Sequence, residues 1–183
     1  MLRRRRIHRT YLALVRGRPP SQRGTIEAPI GRDRRDPTRI SLDTASPRDA
    51  VTHFTLAEAL PGRSLLEVEL ETGRTHQIRV HLAAIGHPIC GDPVYGYGEE
   101  LGLSRQFLHA SRLRFVHPVT GEEVDVSSPL PADLALALDG PVPRVESLQP
   151  IWHDPRRAPR GERRTPPPAT PSRGFPPGRE TGR

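Results

Sequence analysis

The sequence predicts an α+β fold, a mostly antiparallel mixed sheet with flanking helices, and three observations carry that expectation. Apolar residues recur with a period of two at Leu66, Val68 and Leu70, with Glu67, Glu69 and Glu71 between them. The period then lengthens to helical spacing at Ile78, Leu82 and Ile85. Glycine and proline mark the changes between these patterns.

The elements follow in chain order. Thr10 to Val15 (TYLALV) is apolar on both alternating faces apart from Thr10, as suits a strand covered on both sides. Ala50 to Leu60 (AVTHFTLAEAL) continues in a β-like pattern, and Ser64 to Leu70 reads as a half-buried strand ending at a Thr72-Gly73 turn. Thr75 is the expected N-cap of the helix that follows and Gly86 its C-terminal stop. HPICGDPVYG is a loop; residues 105 to 128 read as a hairpin about a Thr120-Gly121 turn; PADLALAL is a short closing helix. From residue 140 the chain holds half of its 22 prolines and almost no apolar periodicity, so it divides into an ordered part, 1–139, and an expected disordered tail, 140–183, in which Trp152 stands isolated.

The formal charge is +7, and its distribution decides what that implies. Residues 1–23 hold eight arginines and no acid, residues 24–150 twelve arginines and eighteen acids, and residues 151–183 eight arginines and three acids, giving +8 − 6 + 5 = +7. The basicity lies at the ends, and no basic residue is lysine, so the overall charge is weak support for nucleic-acid binding. No apolar run has membrane-spanning length and none follows the basic start, so no membrane partner and a cytoplasmic location are expected. The single cysteine, Cys90, excludes an internal disulfide and reads as a small buried hydrophobe.

One stretch concentrates donors. ETGRTHQIRVH, Glu71 to His81, delivers His76, Gln77 and Arg79 into the first turn of the expected helix while Ile78 and Leu82 face inward. Helix amides and two guanidinium groups suit an anion, either a phosphate or a carboxylate of the protein itself. The pattern alone favours a simpler reading, a solvated helix face with Arg74 pairing Glu71. His76 and His81 lack the spacing of a helical metal pair and HExxH is absent, so no metal is expected.

LLEVELETGRTHQIRVHLAAIGHPICGDPVYG closely resembles the signature region of the RluA-type RNA pseudouridine synthases. IHRTYLALVRG, GTIEAPIGRD, AVTHF, RQFLHASRLRFVHPVTGEEV and SPLPADL occur in that family's order, so the resemblance covers roughly residues 7 to 138. It implies a pseudouridine synthase-like catalytic domain that isomerises uridine in RNA without a cofactor, on a base flipped out of its stack. The partner implied is RNA, ribosomal RNA first and transfer RNA second. By the resemblance, Tyr11 is the active-site tyrosine and Arg79, in HQIR, the arginine that pairs with a catalytic aspartate. A guanidinium would keep such an aspartate ionised and oriented, and the tyrosine would offer a flat surface and a hydroxyl. Arg9, of the Arg9-Thr10-Tyr11 motif, joins Gly73, Arg74, His76, Gln77, Gly91 and Asp92 as RNA-binding or scaffold residues. Asp92 is read as a loop organiser rather than the catalytic carboxylate.

The family's aspartate motif, HRLDxxTSG, has no counterpart here, since only MLRRRRIHR precedes the Thr10-Tyr11 pair. The chain is therefore expected to be the C-terminal portion of an incomplete catalytic domain, inactive alone. A separate complementing chain could supply the aspartate, making this half of a split synthase; alternatively the chain is a noncatalytic RNA-binding remnant.

Overall fold

The computed structural model describes residues 7–139. The first six residues, the expected disordered tail and Trp152 lie outside the described residues.

The first strand, β1 (His8–Arg16), begins two residues before TYLALV and ends one residue after it. Its central Ala13, Leu14 and Val15 are fully buried, because strands flank it on both sides. β2 (Arg23–Glu27), β5 (Val51–Leu60), β6 (Arg63–Leu70), β7 (Leu108–Val116) and β8 (Glu123–Ser127) complete a six-stranded sheet in the order β2-β5-β6-β1-β7-β8. Every ladder among the described strands is antiparallel. On β6 the period of two holds: Leu66 and Val68 are buried while Glu67 and Glu69 are exposed. The β7–β8 hairpin closes through Gly121 at φ 76°, a left-handed conformation that glycine adopts without steric cost.

Two further strands, β3 (Gly31–Arg32) and β4 (Ile40–Ser41), pair separately. At two residues each they leave no periodicity to read.

Helix α1 (Gln77–Ala84) departs from the expected amphipathic form: Gln77 through Ala83 are all buried. The reason is that α1 is sandwiched. Ile78 and Leu82 join the main core with Leu14, Leu66, Val68 and Phe107. Val80 and Ala83 join a second cluster with Ile30, Ala50 and Tyr95. Burying a large apolar side chain contributes about 1.5–3 kcal/mol, so both faces anchor the helix. Its N-cap is His76 rather than Thr75, with φ 56° and no side-chain capping bond. Ile85, expected on the buried face, is the C-cap and is exposed, and Gly86 follows at φ 83°. The second helix, α2 (Ala132–Asp139), closes the core with Leu134 and Ala137.

Candidate active site

The turn between β6 and α1 is built by one carboxamide. Gln77 Oε1 accepts from Thr72 Oγ1 (2.8 Å) and from the Arg74 amide (3.0 Å). Its Nε2 donates to the Val51 carbonyl (2.9 Å) and to Thr52 Oγ1 (3.0 Å). The chain of bonds continues to His81. Because Nε2 of His81 meets the Ala28 carbonyl (2.9 Å), which only accepts, that nitrogen carries the proton and Nδ1 accepts from Thr52 Oγ1 (2.9 Å). Burial also pushes the His81 pKa below the usual imidazole value, against the opposing effect of the Ala28 carbonyl.

Arg79 projects from α1 onto the loop that follows. Its Nε and Nη2 donate to Asp92 Oδ2 and Oδ1, both at 2.7 Å. Asp92 is wholly buried, and Oδ1 also accepts from the amides of Val94 (2.9 Å) and Tyr95 (3.0 Å). Burial alone would raise the Asp92 pKa; the Arg79 hydrogen bond and these two amides outweigh it and hold the carboxyl below its ordinary value. The same hydrogen bond raises the Arg79 pKa. Arg79, expected to pair with a catalytic aspartate, grips Asp92 within this chain, because the GDP turn carries that side chain into the core against α1. Nη1 makes no hydrogen bond among the described residues. Gly91 makes the turn possible, since a Cβ there would sit 2.3 Å from the Arg105 carbonyl oxygen at φ 75°.

The expected Arg74–Glu71 pair does not form. Glu71 meets His53 Nε2 at 2.8 Å, while Arg74 Nε reaches the Asp49 carbonyl at 3.3 Å. Arg74 turns instead into a groove of about 920 Å³ that Gly73 and His76 also line. His76 Nδ1 lies 3.0 Å from the Tyr95 hydroxyl, which also accepts from the Ile40 amide at 3.1 Å. Desolvation, then the Arg79 charge, lower the His76 pKa and favour its neutral form. The Tyr95 ring lies 4.9 Å from the Arg79 guanidinium carbon.

Tyr11 stands apart from this cluster. It lines a shallow depression of about 190 Å³ with Arg9 and residues of β7 and β8, and makes no hydrogen bond or ring contact with Arg79 among the described residues. Arg9 connects the two regions, its Nη1 lying 3.2 Å from where a Gly73 Cβ would be. Sequence reasoning assigned no role to Tyr95, though it lies in the quoted GDPVYG run, nor to the arginines between Gly31 and Asp49. Their density along a short segment was the available signal. Among the described residues no cluster of His, Cys, Asp or Glu could hold a metal, and no helix is long and apolar enough to cross a membrane.

The sequence profile of the RNA pseudouridylate synthase family matches residues 1–84. An RNA pseudouridine synthase of Chloroflexus aurantiacus is 56% identical over 135 residues, covering 73% of this chain and 42% of that protein. The chain belongs to the RNA pseudouridine synthase family. Ribosomal large subunit pseudouridine synthase D of Xanthomonas campestris is 46% identical over 143 residues, 71% of this chain and 43% of that one. Among solved structures, human RNA pseudouridylate synthase domain containing 1 superposes with a TM-score of 0.58 at 35% identity, over 68% of this chain and 55% of that chain. The chain thus spans less than half the length of these two bacterial pseudouridine synthases. Of the five guanidinium hydrogens of Arg79, one on Nε and one on Nη2 are committed to Asp92, which leaves those of Nη1 for a further group.

Proposed function

We propose that this chain is the C-terminal portion of the catalytic domain of an RluA-type synthase that isomerises uridine to pseudouridine in structured cytoplasmic RNA, ribosomal RNA first and transfer RNA second. The observation that carries the reading is the buried, doubly hydrogen-bonded Arg79, held rigid with one nitrogen uncommitted, in a chain whose relatives are pseudouridine synthases. In this reading Nη1 of Arg79 steadies an aspartate contributed from outside the present chain, and Tyr11 gives the flipped uracil a flat surface and a hydroxyl. The reaction breaks the bond from ribose to nitrogen, turns the base and rejoins it through carbon, so no cofactor is required.

The chain alone is expected to form no pseudouridine in ribosomal or transfer RNA, measured by mass spectrometry of the digested nucleosides. Supplying a polypeptide with the HRLDxxTSG motif, fused or in trans, is expected to produce turnover that Arg79→Ala reduces by at least tenfold. Turnover by the unaided chain that Arg79→Ala abolishes would show that the aspartate need not come from elsewhere.

A further inference from the structure

The 920 Å³ groove belongs neither to the Tyr11 depression nor to the Arg79–Asp92 pair, and its chemistry is distinct from both. It is lined by Arg32, Arg34 and Arg48, in and after the β3–β4 segment, and by Arg74 and His76 of the turn before α1. Four guanidinium groups line it against one carboxylate, Asp33. That carboxylate is turned to its own backbone, with Oδ1 accepting from the amides of Arg35 (2.8 Å) and Asp36 (3.0 Å). Of the four arginines only Arg34 pairs with an acid among the described residues, Asp43 at 3.0 Å. Arg32 is steadied by the Pro37 carbonyl, Arg34 also by that of Thr44, and Arg74 by that of Asp49. These carbonyl bonds orient the guanidinium groups without neutralising them.

No phenylalanine, tyrosine or tryptophan lines the groove. A flipped base gains its affinity by stacking on an aromatic face, whereas guanidinium groups without an acid partner, here Arg32, Arg48 and Arg74, match phosphates. We infer that this groove is a binding site for the sugar-phosphate backbone of RNA, with Arg48 and Arg74 as phosphate ligands, separate from the place of the reacting base. The inference rests on the reading that RNA is the substrate.

The test is RNA affinity of the full chain as a function of salt, by fluorescence anisotropy with a uridine-containing RNA hairpin. Removing one phosphate-binding charge lowers the slope of log affinity against log salt by about 0.7–0.9. Arg48→Gln with Arg74→Gln is therefore expected to reduce the slope by about 1.5. The control, Arg18→Gln with Arg23→Gln, removes the same charge from exposed positions outside the groove and is expected to leave the slope nearly unchanged. Arg48→Gln alone, at a side chain with no hydrogen bond among the described residues, guards against loss of folding and is expected to reduce the slope by half as much. Equal slopes for the groove and control variants would overturn the groove while RNA binding by the intact chain left the functional reading standing. No RNA binding by the intact chain at low salt would overturn both.

Discussion

At the scale of single residues, the Arg79–Asp92 pair is the most consequential interaction in the molecule. Both partners are buried and Asp92 collects four hydrogen bonds through its carboxylate. Removing one charge from such a pair leaves the other uncompensated, at a cost of about 3–5 kcal/mol. Asp92→Asn is therefore expected to lower the urea midpoint with the m-value unchanged, and Arg79→Met combined with Asp92→Asn to cost less than the two changes summed. The residues of this site were visible in the sequence, but their partners were not. Asp92 lies 13 positions from Arg79, and Thr52 lies 29 from His81, beyond any local pattern. A buried polar residue with a distant partner has the same sequence signature as a solvated one.

At the scale of elements, what the sequence revealed depends on length and on burial. β1, β6 and the β7–β8 hairpin could be read because each is long enough for a pattern to register, a continuous apolar run in β1, alternation in β6 and a glycine turn between β7 and β8. α1 was placed correctly as a helix, but its start and its exposure were not. A left-handed His76 replaces the usual capping side chain, and the polar side chains of the helix are buried against distant partners, Gln77 and His81 against Thr52 of β5 and Arg79 against Asp92. The turn after α1 gives a direct test of how rigidly these elements interlock. Alanine at Gly91 would combine an unfavourable φ with a 2.3 Å approach to the Arg105 carbonyl. Gly91→Ala is expected to destabilise by about 2–4 kcal/mol, read from thermal unfolding, because strain and overpacking add. Gly62→Ala supplies the contrast: φ is 70° but nothing lies within 4 Å, so its cost should be the smaller.

At the scale of the whole molecule, stability should depend on pH in one direction across the acid range. The pKa values of His76 and His81 are lowered by burial, and those of Asp33, Asp92, Asp125 and Asp133 are lowered chiefly by hydrogen bonds. For every one of these groups the unfolded chain binds protons more readily than the folded one, so stability is lost as pH falls. The histidine loss begins at the unfolded value of 6.5, the carboxylate loss at 3.8. Cys90 has the opposite sign. Burial pushes its thiol from 9.0 up to about 12, so its contribution is present below pH 9.0 and disappears as the pH rises toward 12. Thermal melts from pH 3 to 11 are expected to show a plateau between about pH 6.5 and 9, with the upper limb flattened in Cys90→Ala.

The position of β1 inside the sheet has a consequence for how the chain is made. Tyr11 pairs with Val68 on one side and with Ala110 on the other, 57 and 99 residues later. At about 5–20 residues per second, a ribosome would take roughly 3–11 s to reach the first partner and 5–20 s to reach the second. During that interval TYLALV is an apolar, strand-forming segment with both edges unpaired, the kind that recruits neighbouring nascent chains. Arg9 and Arg16 bracket it, and flanking charges of this kind keep such segments apart until their partners emerge.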